Sequence, residues 1–206
     1  MQEKSTRRLT ARDLALIAVF VGIMAALGLV PAFYPFGAAV PITAQSMGIM
    51  LAGGILGARR GALAMLVFIA LVAVGLPLLA GGRGGLGVFV SPSAGFWYGA
   101  PLAAYVVGLI TERIVRATGG YRVSAGILAN VVGGIVVLHL CGIAGMMVFG
   151  HMTFAAALGV DAVFLPGDAV KAVVAALICR GVHAGRPGLL GDRGNPRRKR
   201  GADLRG

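Results

Sequence analysis

Phe164-Leu165-Pro166-Gly167-Asp168-Ala169-Val170-Lys171 opens the last long apolar run of the chain and sets a carboxylate and an ammonium inside it. If residues 165–179 are helical, Asp168 and Lys171 stand at i and i+3, on one face and about 4.5 Å apart along the axis. An Asp or Lys at the middle of a bilayer-spanning helix costs about 2.5–3.5 kcal/mol on insertion scales, so such residues face a bundle interior or a wet cavity. Asp168 begins its helix, where the positive end of the dipole favours an anion. By helical rise it lies only about 6 Å in from Phe164, within reach of the surface. The pair either neutralises itself as a structural unit or forms part of a ligand site.

The rest of the chain says what kind of solvent surrounds that pair. Of 206 residues, 58% are hydrophobic and 13% charged, and the mean hydropathy is +0.88. A soluble domain needs roughly 25% charged residues to clothe its surface, so an ordinary soluble globule is excluded. The 34 glycines follow no collagen period and fall largely within apolar runs, as in closely packed membrane helices. The chain is an integral membrane protein. Cys141 and Cys179 both lie in apolar runs and read as small buried hydrophobes rather than as a disulfide or metal pair.

Six apolar spans follow a short basic arm. Residues 1–13 form the arm, with Lys4, Arg7, Arg8 and Arg12. Residues 14–30, ended by Pro31, read as a retained helix: the run is longer than the usual signal-peptide core and no A-x-A-like cleavage site closes it. The next spans are about 42–57, which opens with Thr43, Gln45 and Ser46, then 62–79 after a basic turn at Arg59 and Arg60. Span 94–110 opens with an interfacial cluster of Phe96, Trp97 and Tyr98. Span 123–148 is long enough to tilt or break near its glycines. Residues 149–164 read as a loop carrying His151 and Asp161, and 165–183 as the sixth span. The transmembrane domain is thus 14–183, and 184–206 is a basic tail.

Of the 19 Lys and Arg residues, all but Arg83 and Lys171 fall in the arm, the turn near 59, the 111–122 connection or the C-terminal end. These all lie on one side of a six-span topology, so the positive-inside rule places both termini in the cytoplasm. The net charge of +12 therefore sets topology and attracts anionic lipid. The tail cluster Arg197-Arg198-Lys199-Arg200 has no aromatic neighbours for base stacking, and no nucleic-acid partner is expected.

Few motifs carry chemistry. Gly82-Arg83-Gly84-Gly85-Leu86-Gly87 matches G-x-G-x-x-G, but a dinucleotide fingerprint needs a βαβ unit and a later acidic residue, whereas a membrane span precedes this loop. Two readings remain: a flexible outer loop or, as preferred, a lid whose backbone amides and single guanidinium await an anion. The planar fork of Arg83 suits a carboxylate. Ala18-x-x-x-Gly22-x-x-x-Ala26 lays small residues along one face of the first helix, for internal packing or for docking a separate subunit. Asn130 either bonds between helices or lines the cavity. His139, His151 and His183 show no metal-ligand spacing, and no Ser-His-Asp set, G-x-S-x-G elbow or Walker motif occurs. Neither an enzyme, a metal nor a cofactor is implied.

With these pieces assembled, the chain resembles the BioY family, the substrate-binding S components of energy-coupling-factor (ECF) biotin transporters. The resemblance rests on Pro41-Ile42-Thr43-Ala44-Gln45-Ser46, Leu56-Gly57-Ala58-Arg59-Arg60-Gly61, Gly75-Leu76-Pro77, Gly81-Gly82-Arg83-Gly84-Gly85, Ser91-Pro92-Ser93-Ala94-Gly95-Phe96 and Leu165-Pro166-Gly167-Asp168-Ala169-Val170-Lys171. It covers about residues 10–183. It implies an all-α ECF S-component-like bundle of six transmembrane helices in a bacterial cell (inner) membrane. It also implies an outward-facing biotin pocket, and a small-residue motif on the first helix that docks a coupling transmembrane subunit working with ABC-type ATPases. Ala18-x-x-x-Gly22 matches that motif with glycine where alanine is usual, which tips Ala18, Gly22 and Ala26 towards docking. Where many relatives carry Pro-Thr-Gly-Gly-Tyr, this chain has Pro92-Ser93-Ala94-Gly95-Phe96. Ser93 keeps the hydroxyl, but Phe96 lacks the phenol and is left out of the site.

Biotin also fits the residues on chemical grounds. Its ureido ring offers two N–H donors and a carbonyl, its thiophane ring is apolar, and its tail ends in a carboxylate. Asp168 can accept from the ureido N–H groups. Lys171 can donate to the carbonyl or keep Asp168 charged. Arg83, with Ser91 or Ser93 and the amides of Gly84 and Gly85, suits the carboxylate. Tyr34 and Phe36 can close over the ring, and Gln45 is a polar neighbour. The reverse orientation, with the carboxylate at Lys171, stays open. The alternative function is a self-sufficient transporter driven by protonation of Asp168; the lack of an internal repeat argues mildly against it.

Overall fold

The computed structural model describes residues 9–33, 40–186 and 190, and these are organised as helices, with two isolated bridge pairs in place of strands. We number the helices α1 Ala11–Gly28, α2 Gln45–Leu56, α3 Ala58–Ala73, α4 Ala94–Thr118, α5 Val123–Phe149, α6 Phe154–Ala162 and α7 Leu165–Gly185. By length and composition α1, α4 and α5 can each cross a membrane, and α6 with α7 pass as one span bent by 50°. Leu14, Val19, Leu66, Leu102, Leu140, Val170 and Leu177 are exposed on the outer faces of these helices. An apolar exterior of this extent is soluble in lipid, not in water. The protein is a multi-pass membrane protein, and each of its six expected apolar spans contains one of these helices.

Local sequence explains the element ends. Thr10 caps α1 through a capping box: its hydroxyl accepts from the Asp13 amide, and the Asp13 carboxylate accepts from the Thr10 amide. The same Asp13 pairs with Arg60 at 3.2 Å, and Arg60 Nε donates to the Leu56 carbonyl at 2.9 Å. Arg59 and Arg60 therefore belong to the first turn of α3, not to the turn expected from the sequence; the Asp13 pairing lets Arg60 be buried. The break between α2 and α3 is a single residue, Gly57, at φ 81°, a conformation that favours glycine. Glu112 of α4 accepts from the Ala58 amide there at 3.0 Å. α3 ends at Ala73, short of the expected 79, because Gly75 turns at φ 105° ahead of Pro77.

Two further differences bear on the site. The stretch 149–164, expected to be a loop, contains α6, whose N-cap Thr153 accepts from the Ala156 amide. The expected irregularity of the fifth span is a π-helical stretch, Asn130–Val137, continuous with the α-helix on either side. Asn130 uses its amide to donate to the Ala172 carbonyl at 2.8 Å, tying α5 to α7; of the two roles left open, it takes the interhelical one. Because successive helices alternate in direction, segments 40–46, 79–97 and 164–171 meet at one end of the bundle. The basic residues of 12, 59–60, 113–122 and 180–186 lie at the other.

Candidate functional site

At the end where those segments meet there is a cavity. Its polar lining comprises Thr43, Ser46, His139, Asp168 and Lys171 on one wall and Arg83 and Ser93 on another; Ile49, Phe96, Trp97, Leu138 and Phe164 are among its apolar lining. The first wall is wired together. Asp168 Oδ1 accepts from Ser46 Oγ and from Lys171 Nζ, each at 2.8 Å. Lys171 Nζ also donates to the Thr43 carbonyl at 2.7 Å and to Ser46 Oγ at 3.0 Å, so its three donors meet three acceptors. Asp168 Oδ2 lies 3.0 Å from His139 Nε2, and the other ring nitrogen, Nδ1, lies 2.9 Å from Asp161 Oδ2. Two ionised carboxylates accept only, so either His139 carries both ring protons or one carboxyl keeps a proton. Phe96 stands edge-on to the His139 ring at 5.9 Å and to Phe164 at 6.1 Å, closing the apolar side.

The second wall is held more loosely. Leu79 and Arg83 exchange backbone hydrogen bonds of 3.0 and 3.2 Å around a turn in which Gly81 and Gly82 adopt φ 79° and 70°. Arg83 emerges from that turn; its Nε reaches the Ala80 carbonyl at 3.3 Å and its Nη1 reaches Ser93 Oγ at 3.4 Å. Among the described residues it has no acidic partner. Ser93 in turn sits 3.0 Å from Ser91 Oγ.

The BioY family model matches residues 1–188. The chain belongs to the BioY family. It is 48% identical over 181 residues to the biotin transporter BioY of Rhizobium etli, covering 87% of this chain and 97% of that one. Its identity to the biotin transporter BioY of Rhodobacter capsulatus is 47% over 192 residues, covering 89% and 99%. The crystal structure of the S-component for biotin from an ECF-type ABC transporter has the same fold, with a TM-score of 0.79 at 28% identity over 86% of this chain and 95% of that one. The S-component-like bundle implied by the sequence is therefore the observed architecture.

In this BioY chain the sequence-named site residues separate into three groups. Asp168, Lys171, Arg83 and Ser93 line the cavity. Gln45, Ser91, Gly84 and Gly85 do not, for reasons visible in their contacts. Gln45 is fully buried and holds backbone: it donates to the Met24 and Leu78 carbonyls at 3.1 and 3.0 Å and accepts from the Ala80 amide at 3.1 Å. Ser91 turns its hydroxyl to the Val88 carbonyl at 2.7 Å. The Gly85 amide is taken by the Val72 carbonyl at 2.8 Å, and a Cβ at Gly84 would collide with the Leu76 carbonyl. The glycine-rich loop is thus a turn folded back onto the end of α3, rather than an open rack of amides. Tyr34 and Phe36 lie outside the described residues.

Ser46, His139, Trp97 and Phe96 are among the lining residues that the sequence reading did not assign to the site. His139, with Asp161 behind it, has the clearest missed signal, since an ionisable residue within a membrane span is by default a functional candidate. Screening the histidines for metal spacing overlooks one whose partners are carboxylates. Ala18, Gly22 and Ala26 are all exposed on α1, and no atom approaches within 4 Å of the place where a Gly22 side chain would begin.

Proposed function

We propose that this BioY-family chain is the substrate-specific membrane subunit of an ECF-type transporter, binding biotin from the outer side and delivering it for ATP-driven uptake. The observation that carries this is the pairing, in one cavity, of a carboxylate with one acceptor site unfilled and a guanidinium with no acid beside it among the described residues. An ionised carboxylate offers about four lone-pair sites, and Ser46, Lys171 and His139 occupy three of those on Asp168. The remaining one takes a ureido N–H. Lys171, with every donor engaged, holds Asp168 in place and charged. The Arg83 fork, assisted by Ser93, takes the carboxylate, and Phe96, Phe164, Ile49 and Leu138 enclose the rings. The relatives named as biotin transporters support this choice of ligand.

The exposed stripe Ala18, Gly22 and Ala26 supports docking to a coupling transmembrane subunit, with ABC-type ATPases on further chains supplying the energy. The basic residues gathered at the end away from the cavity support cytoplasmic termini and an outward-facing site. Equilibrium titration of the purified chain with biotin tests the binding function; the absence of saturable binding at micromolar biotin would sink it. Gly22→Leu should leave biotin affinity within about twofold while preventing co-purification with the coupling subunit. If affinity collapses and assembly survives, the α1 face has been assigned backwards. Vesicle uptake driven by a pH gradient alone, without added subunits or ATP, would favour the self-sufficient transporter instead.

A further inference from the structure

Gln45 lies outside the cavity, and its fully buried amide joins the end of α1 to the segment that presents Arg83. The amide nitrogen donates to the Met24 carbonyl of α1 at 3.1 Å and to the Leu78 carbonyl at 3.0 Å, while the amide oxygen accepts from the Ala80 backbone N–H at 3.1 Å. Leu78 and Ala80 flank Leu79, the residue whose backbone pairs with that of Arg83. The Ala80 carbonyl in turn accepts from Arg83 Nε at 3.3 Å. Hydrogen bonds therefore lead from Gln45 through Ala80 to the guanidinium. α1 backs this arrangement directly, since a Cβ at Gly28 would collide with the Leu78 carbonyl.

Arg83 needs such a support. Between it and Ala80 stand Gly81 and Gly82, both at positive φ, and open space surrounds the place where a Gly82 side chain would begin. Glycine has the most backbone freedom to lose, so the turn alone does not set the direction of the guanidinium. An amide that grips the chain on both sides of Leu79 supplies the restraint. We infer that Gln45 is a positioning residue: it fixes the 78–80 segment against α1 and so aims the Arg83 fork at the ligand's carboxylate. This rests on the binding function proposed above and adds to it the group that orients the carboxylate's partner.

Gln45→Met keeps the length of the side chain and removes its three hydrogen bonds. The thermal midpoint falls whether the role is structural or positional, because buried backbone groups lose their partners. The deciding readout is instead the ratio of two affinities, for biotin and for the analogue carrying methyl in place of the carboxyl group. Biotin affinity should drop roughly five- to tenfold, a large part of one hydrogen bond between charged groups, while affinity for the methyl analogue stays within about twofold. An equal loss for both ligands, or no loss for either, overturns the inference. The effect should also vanish when Arg83 is already glutamine, since the two residues act through one contact; a loss that persists there in full overturns it as well. If Gln45→Met does not fold, amide hydrogen exchange in the native chain decides. Saturating biotin should slow exchange at Ala80 at least about fivefold more than the saturating methyl analogue does, and equal slowing by both overturns the assignment. A native chain that binds no biotin at all removes the proposed function and this inference together, which distinguishes that failure from a biotin-binding chain indifferent to Gln45.

Discussion

On one wall of the cavity Asp168 has three acceptor sites filled, Lys171 all three donors and His139 both nitrogens. On the other, Arg83 makes two bonds of 3.3 and 3.4 Å and has no acidic partner among the described residues. The contrast is one of timing. The Asp168 wall brings charges from α5, α6 and α7 into low dielectric before any ligand arrives, and such groups persist there only when paired and hydrogen-bonded. The Arg83 wall leaves donors incomplete, and on the proposed function the ligand's carboxylate completes them. Preorganisation on one side lowers the cost of binding; unfilled donors on the other make an anion necessary. Damage to the first wall should be felt by the fold as well as by the ligand, and damage to the second by the ligand alone.

Asp168→Asn is the sharpest way to break that contrast. It keeps the shape but removes the anion shared by Lys171, His139 and Ser46, so a charge-assisted bond to the ligand becomes a neutral one. Biotin binding should weaken by more than about 1.5 kcal/mol, as read by equilibrium titration. The thermal midpoint in detergent should fall as well, because Lys171 and His139 lose their common partner. Unchanged affinity would reduce the pair to a structural role, and weakened affinity at an unchanged midpoint would mean that the wall is not preassembled.

Arg83→Gln should separate the two quantities. The side chain is half-buried and its bonds within the protein are long, so stability should move by no more than about 0.5 kcal/mol. Biotin affinity should drop roughly tenfold or more, the scale of a lost hydrogen bond to a charged group. A fall in the thermal midpoint comparable to that of Asp168→Asn would mean that both walls are structural and would end the distinction.

The two walls were not equally legible in the sequence. Asp168 and Lys171 stand out because three residues of helix put both on one face, and Arg83 because its loop has no other charge. The apolar runs gave every helix that crosses the bundle. α6 was invisible for a physical reason: its nine residues are flanked by turns, and nothing in an apolar stretch says whether it spans or lies across an end. His139 and Ser46 reach Asp168 from two other elements, with Asp161 behind His139 on a third, and their convergence belongs to the packing of α2, α5, α6 and α7. Gln45 misled in the opposite direction. A polar residue at the start of a membrane helix is equally able to face a ligand or to satisfy backbone, and here three backbone groups of the α1 end and the 78–80 segment claim it.

His139→Gln probes the wired wall at its outer layer and should give the smallest effect. Glutamine offers an amide to one carboxylate but cannot bridge Asp161 and Asp168, which the two ring nitrogens of His139 approach at 2.9 and 3.0 Å. Asp168 still keeps Ser46 and Lys171, so it stays near its position while losing one restraint. Biotin affinity should fall by about 1 kcal/mol, the central value for a single hydrogen bond. The size alone does not identify the wall, but coupling does. Residues in one hydrogen-bonded network are non-additive, whereas separate sites add to within roughly 0.3–0.5 kcal/mol. The His139→Gln effect should therefore persist in full when Arg83 is already glutamine and largely vanish when Asp168 is already asparagine. Coupling to Arg83 instead would join the two walls into one network and remove the difference in timing between them.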